Sequence, residues 1–185
     1  MRRRALLAAS SSGASSGGGY TPIDYVTFDG STIFDTGLLG EDGWTIRIKF
    51  KRTDTASNVY LYGVSTGQRL TANLAQSGYW RYGEGAYPTF NTKKTDETEA
   101  EVTPTRTKVG SYSKTYSASD FTTKFTVPLG GHTPSSGVPT PQFKGYVYYF
   151  QIEYNGIMLL DWIPAIEDGV EGFWDKVTKT FVKPL

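Results

Sequence analysis

Trp44-Thr45-Ile46-Arg47-Ile48-Lys49-Phe50-Lys51 alternates apolar and polar side chains from end to end without an error. A period of two is the signature of a strand, whose successive side chains point to opposite faces. Trp44, Ile46, Ile48 and Phe50 are therefore expected to face a core, and Arg47, Lys49 and Lys51 to face water. A second strong strand is read over Tyr146 to Tyr154 (YVYYFQIEY), with Tyr148, Phe150 and Ile152 on one face and Gln151 and Glu153 on the other. It runs into Asn155-Gly156, the dipeptide suited to a two-residue type I′ turn because both central residues need positive φ. Ile157 to Trp162 then supplies the returning strand.

Working outward, weaker strand patterns occur at Tyr25 to Phe28, Asn58 to Val64, Arg69 to Leu74, Tyr79 to Tyr82, Glu99 to Lys108, Phe121 to Val127 and Thr180 to Lys183. Turn signals punctuate them: Asp29-Gly30, Leu39-Gly40, Asp42-Gly43, Gly63, Gly78, Gly110 and Gly130-Gly131. No stretch carries a helical period, so nothing could form the crossover helix that parallel strands need. Many short strands with regular punctuation predict an all-β antiparallel sandwich or barrel. Asn91 to Glu101 (NTKKTDETEAE) and Gly130 to Pro141 (GGHTPSSGVPTP) read as loops, the second because its prolines and glycines cannot sit in a central strand.

The first 19 residues, MRRRALLAASSSGASSGGG, differ in kind from the rest. A secretory leader normally has an apolar core of about 7–15 residues, and Ala5 to Ala9 is shorter. The Ser/Gly tract reads as a flexible tether. Arg2, Arg3 and Arg4 could meet acidic groups of a partner while Leu6 and Leu7 fill a pocket, making residues 1–19 a docking arm and 20–185 the folded domain.

The chain of 185 residues has 19 basic and 18 acidic side chains, so its net charge of +1 steers it to neither nucleic acid nor acidic lipid. It has no cysteine and one histidine, His132. Thiol chemistry is excluded, and most zinc sites and histidine relays become improbable. No apolar run approaches the roughly 20 residues of a membrane helix. No nucleic-acid partner, membrane partner, metal or cofactor is expected.

Glu97, Glu99 and Glu101 raise the question of an enzyme, because residues i and i+2 of a strand share a face at the spacing of a glycosidase carboxylate pair. Their neighbours Thr98 and Ala100 are not the bulky apolar residues that would bury such a strand, and a solvated edge or loop is the better reading. No Asp-x-Asp-x-Asp-Gly calcium loop is present. His132 lies near Ser135 and Ser136, but without a Gly-x-Ser-x-Gly motif an exposed loop histidine is expected. No phosphate-binding glycine motif exists. The run Tyr79-Trp80-Arg81-Tyr82, followed by Tyr87 and Phe90, could stack on sugar faces. Trp80, Tyr82 and Tyr87 are the glycan-contact candidates, although alternation requires that either Trp80 and Tyr82 or Tyr79 and Arg81 line the core.

Two stretches carry a family resemblance. Tyr25-Val26-Thr27-Phe28-Asp29-Gly30-Ser31-Thr32-Ile33-Phe34-Asp35-Thr36-Gly37 resembles the opening "Y-I-x-x-x-G-x-x-Y-I-D-T-G" of LamG-like, concanavalin-type jelly-roll modules common in structural proteins of bacteriophages. Lys144 to Gly156 is similar to the family's "G-x-I-Y-x-F-x-I-Y-x-N-G" strand and turn. Leu160-Asp161-Trp162-Ile163-Pro164 follows like "R-D-F-I-P", and Asp168 to Asp175 and Thr178 to Phe181 resemble "D-G-x-x-G-x-Y-D" and "T-G-x-F-Y". The chain departs where the family often has cysteine, at Ala165, and where its inner hairpin carries histidine, at Thr105 to Tyr116. The resemblance implies a two-sheet antiparallel jelly roll whose two ends come together. It implies a non-enzymatic phage virion protein (capsid decoration, head fibre or tail-associated), present in many copies on the particle surface. Its partners would be other virion proteins, met through the arm, and a host-surface polysaccharide. A lectin-like adhesin outside a virion and a sandwich-fold polysaccharide hydrolase are the alternatives. The matching motifs are fold motifs, so Asp35, Asp161 and Asp175 are expected to be turn and strand-end hydrogen bonders.

Overall fold

The computed structural model describes residues 19–55, 59–65, 69–74, 78–83, 88–90, 96–117 and 120–185. Among them there is no helix. In chain order the strands are β1 (Thr21–Pro22), β2 (Val26–Asp29), β3 (Phe34–Glu41), β4 (Trp44–Arg52), β5 (Val59–Val64), β6 (Leu70–Leu74), β7 (Gly78–Tyr82), β8 (Thr89–Phe90) and β9 (Thr98–Val102). They continue with β10 (Arg106–Val109), β11 (Tyr112–Thr115), β12 (Thr122–Leu129), β13 (Gly131–His132), β14 (Thr140–Pro141), β15 (Lys144–Tyr154), β16 (Ile157–Glu167), β17 (Val170–Asp175) and β18 (Thr180–Val182). The large sheet runs β11-β10-β9-β4-β15-β16-β17-β18, with β1 on β16 and β2 on β15. The small sheet runs β3-β12-β5-β6-β7-β8, and β13-β14 forms a separate ribbon. The strand-to-strand pairings are antiparallel, as the absence of crossover helices among the described residues requires, and the parallel contact is an isolated bridge between Val64 and Thr133.

The two sheets pack face to face. Trp44, Ile46, Ile48 and Phe50 are buried on the inner face of β4, as their alternation predicts. Rings meet across the layer: Phe50 with Trp80 at 6.4 Å, Tyr62 with Phe150 at 5.9 Å and Phe34 with Phe173 at 5.0 Å between centroids. Asn155 (φ 47°) and Gly156 (φ 85°) make the expected positive-φ hairpin turn between β15 and β16.

The first and last parts of the described domain do come together, at β15 and β16. β15 pairs with β4 on one edge; on the other its second half pairs with β16 and its first half with β2. β1 takes the edge of β16 at Ala165 and Ile166. The hairpin strands thus part beyond Phe150 and Trp162, and the N-terminal segment fills the fork. The Thr27 amide also donates to a Glu171 carboxylate oxygen at 3.1 Å.

Several local expectations are corrected. Tyr148 does not share the inner face with Phe150 and Ile152: β15 slips register between Val147 and Tyr149, and this bulge turns Tyr148 outward. Glu99 to Lys108 is a hairpin rather than one strand, because the Thr103 hydroxyl accepts the Arg106 amide at 3.0 Å in the Thr103-Pro104 turn. The end of the expected Asn91 to Glu101 loop is β9, paired on both edges. Leu39-Gly40 lies within β3 and is no turn: a Cβ on Gly40 would come within 2.7 Å of Leu70, so the glycine serves close packing.

Candidate functional site

The outer face of the large sheet gathers the charges that β4, β9, β10 and β15 turn away from the core. Arg47 is the hub. Its Nε meets Glu101 at 3.0 Å and its terminal nitrogen meets Glu153 at 2.9 Å, while Arg106 reaches Glu101 at 2.6 Å. Beside them Lys49 pairs with Glu97 at 3.0 Å, and the Tyr148 hydroxyl donates to Glu97 at 3.0 Å. The bulge that displaces Tyr148 is what delivers that hydroxyl. A groove of about 460 Å³ crosses this face, lined by Arg47, Glu99, Glu101, Arg106, Lys108 and Tyr149.

Glu97, Glu99 and Glu101 therefore do share one face, as strand spacing requires. Hydrogen bonds from Lys49 and Tyr148 hold the Glu97 carboxyl below its ordinary range. Burial alone would raise Glu101, but hydrogen bonds from Arg106 and Arg47 outweigh it and lower that carboxyl too. A glycosidase acid must be held protonated near neutral pH, which is the opposite bias.

The outer face of the small sheet is different in kind. Because Leu70, Ala72 and Leu74 face the core, Thr71 and Asn73 of β6 point away from it, as do Tyr79 and Arg81 of β7. Asn73 lies directly opposite Tyr60 of β5. The ring of His132, carried by β13, stacks on Tyr60 at 4.1 Å. His132, Tyr60, Asn73 and Tyr79 form a row across neighbouring segments. The Tyr60 and Tyr79 hydroxyls share a hydrogen bond of 2.6 Å, and the Arg81 guanidinium lies 5.0 Å from the Tyr79 ring centre. Burial and the bond to Tyr79 push the Tyr60 hydroxyl up to about 12, against the opposing pull of the Asn73 amide and Arg81. Burial lowers the His132 pKa.

These placements revise the expected glycan contacts. Trp80 and Tyr82 are both fully buried, Trp80 against Phe50 and Tyr62, Tyr82 with its hydroxyl on the Trp44 carbonyl at 2.9 Å. Neither offers a surface to a ligand, because alternation turned them into the core. Tyr87 and the arm residues Arg2, Arg3, Arg4, Leu6 and Leu7 lie outside the described residues. His132 is half-buried rather than exposed, while Ser135 and Ser136 sit in an exposed turn. Tyr60, Thr71 and Asn73 were not singled out by sequence reading; the signal available was Thr71 and Asn73, alternating with apolar residues in Leu70 to Leu74.

The aspartates behave as hydrogen bonders. Asp35 accepts the Gly37 amide at 3.0 Å and the Thr126 hydroxyl at 3.1 Å. Asp161 accepts the Gln151 amide at 2.9 Å, and Asp175 accepts the amides of Asp161 at 3.1 Å and Val177 at 3.0 Å. Among the described residues no group of three His, Asp or Glu side chains could hold a metal ion. No described helix is long and apolar enough to cross a membrane.

No known protein-family model matches the sequence, and no curated protein does either. Among solved structures, mouse laminin α1 chain domains LG4-5 match with a TM-score of 0.52 at 17% identity, over 71% of this chain and 41% of that one. The fold is a laminin G-like jelly roll. At that identity the likeness concerns the fold alone, and the chain spans well under half the length of the laminin fragment. In laminin G-like terms the charged ladder and the tyrosine row occupy the two opposite outer faces of the sandwich.

Proposed function

We propose that this chain is a non-enzymatic bacteriophage virion component, a capsid-decoration, head-fibre or tail-associated protein. Residues 1–19 dock on the particle, and the jelly roll of residues 20–185 is displayed outward in many copies. The phage resemblance of Tyr25 to Gly37 and Lys144 to Phe181 supports the virion context. The structural observation that carries the reading is where the chain enters the domain. Tyr20 stacks on Trp174 at 4.3 Å, and Trp174 faces out from the large sheet because its neighbour Phe173 faces the core. The described chain therefore begins at the large sheet, and the tyrosine row lies on the opposite side.

The experiment compares the full chain with one lacking Met1 to Gly19 for co-purification with phage particles. Retention of the full chain alone supports docking through the arm. Equal retention would place attachment on the jelly roll itself, and retention of neither would sink the virion reading.

A second reading, host-glycan adhesion by the displayed domain, is favoured by the polar, aromatic composition of the tyrosine row. A hydrolase using Glu97, Glu99 or Glu101 is disfavoured by the cations that keep Glu97 and Glu101 ionised. Reducing-sugar release that vanishes in Glu99→Gln would reverse that judgement.

A further inference from the structure

Asn73 is 1% exposed, and although its amide lies near enough to the Tyr60 hydroxyl to oppose the rise in its pKa, neither its nitrogen nor its oxygen makes a hydrogen bond of good geometry. Thr71 Oγ1 on the same strand and His132 Nδ1 are buried and without partners as well. A buried polar group left unmade costs about 1–3 kcal/mol, and native proteins leave few of them. Both ends of one amide and a hydroxyl on β6, and a ring nitrogen on β13, are therefore in want of a polar occupant. Asn73 lies opposite Tyr60, whose hydroxyl is joined to that of Tyr79 on β7 by the 2.6 Å hydrogen bond, a contact between two side chains that rotate about their own bonds. The core of the sandwich does not need this arrangement, since Leu70, Ala72 and Leu74 already fill the inner side of β6.

We propose that the Tyr60–Asn73–Tyr79 row, flanked by His132 and Thr71, is an oligosaccharide-binding site on the small sheet, reached when the two tyrosine hydroxyls part. An amide offers a donor and an acceptor side by side, the pattern that neighbouring sugar hydroxyls complement. The tyrosines supply apolar ring surface with polar tips for the rest of the ring. A ligand that replaces the Tyr60–Tyr79 bond with bonds of its own breaks even there, and gains by satisfying Asn73. The inference rests on the adhesion reading and adds to it the place and the residues. It moves the glycan contacts from Trp80 and Tyr82 to the opposite face of the same strands.

The test uses the full chain against short oligosaccharides of glucose, galactose, mannose and N-acetylhexosamine. It reads affinity by calorimetry and the Asn73 side-chain amide by ¹⁵N NMR. The expected result is saturable binding that shifts the Asn73 amide signals. Tyr79→Phe should weaken binding about tenfold, the weight of one hydrogen bond. Asn73→Leu should abolish binding while the melting temperature is kept or raised, because an apolar isostere removes the unmet groups. Binding that leaves the Asn73 signals unmoved and Tyr79→Phe unaffected would overturn the site while leaving adhesion through another face. Failure to bind any of the sugars, in a chain that still co-purifies with particles, would overturn site and adhesion together and leave display standing, with Asn73 met by buried water.

Discussion

Asp29 closes β2 by gathering hydrogen bonds on a single carboxylate oxygen, from the Ser31 amide (2.8 Å) and hydroxyl (2.7 Å) and from the Thr32 amide and hydroxyl (both 3.0 Å). Those bonds hold its pKa well below the ordinary 3.8. A carboxyl lowered on folding stabilises the protein above its unfolded pKa, and that contribution is lost as pH falls from about 3.8 towards the folded value. Glu97 and Glu101 add the same sign from 4.5 downward. Glu97 contributes little of this, its side chain being 49% exposed and screened by salt. Melting temperature should therefore fall on acidification, and fall less in Asp29→Asn, which keeps an acceptor but cannot titrate. Superimposable pH profiles would show that other carboxylates carry the acid sensitivity. Arg52 is a second residue whose role is local. Its side chain is wholly buried, donating to the Leu74 carbonyl across the sandwich at 2.8 Å and to Asp54 at 2.9 Å. Arg52→Met leaves both acceptors unmet and should cost about 2–4 kcal/mol in urea unfolding. Arg52→Lys should recover only part of it, since a single ammonium lacks the forked geometry.

At the scale of elements, β5 and β6 approach so closely that a Cβ on Gly63 would stand 2.0 Å from the Leu70 carbonyl oxygen, and Gly63 holds φ at 127°. Gly63→Ala must therefore push the strands apart beneath the tyrosine row. A loss of at least about 2 kcal/mol is expected from the clash and the strained φ together. Unfolding free energy measures it directly, and a neutral result would mean that β5 can shift without loss. Gly63 also marks where sequence reading stops. It reads as punctuation, yet it sits inside a strand because the neighbouring backbone leaves no room for a side chain. β4 is legible because a strand with one face in the core and one in water writes its period into the residues. β15 is legible only in halves, since the bulge beside Tyr148 reverses parity with no residue to announce it. The candidate site was less legible still. Alternation assigned Tyr79 and Arg81 to one face and Trp80 and Tyr82 to the other, but which face is core depends on the sheet packed opposite. The partnership of Tyr60, Asn73 and His132 depends on pairings between distant segments, which no local pattern encodes.

For the whole molecule, the forked large sheet makes the N-terminal strands β1 and β2 structural. β2 brings Val26 and Phe28 into the core at 1% and 2% exposure, and β1 and β2 occupy edges of β16 and β15 that would otherwise be open. Removing residues 1–18 touches neither and should leave the melting temperature unchanged. Removing residues 1–29 deletes a buried phenylalanine and a buried valine and exposes unpaired strand edges, which invite intermolecular pairing. Loss of the phenylalanine alone is worth about 3–5 kcal/mol, a large part of the roughly 5–15 kcal/mol that holds a domain folded. The longer truncation should therefore aggregate or melt far below the full chain. A synthetic peptide spanning Tyr20 to Asp29, added during refolding, should restore the transition by re-entering the fork as a strand. Matching melts for the two truncations would mean that β15 and β16 close without their insert. If the proposed attachment through residues 1–19 holds, the load enters the domain through β1 and β2, each paired along one edge, to β16 and β15. Under that proposal tension loads hydrogen bonds along those strands, on the sheet opposite the tyrosine row.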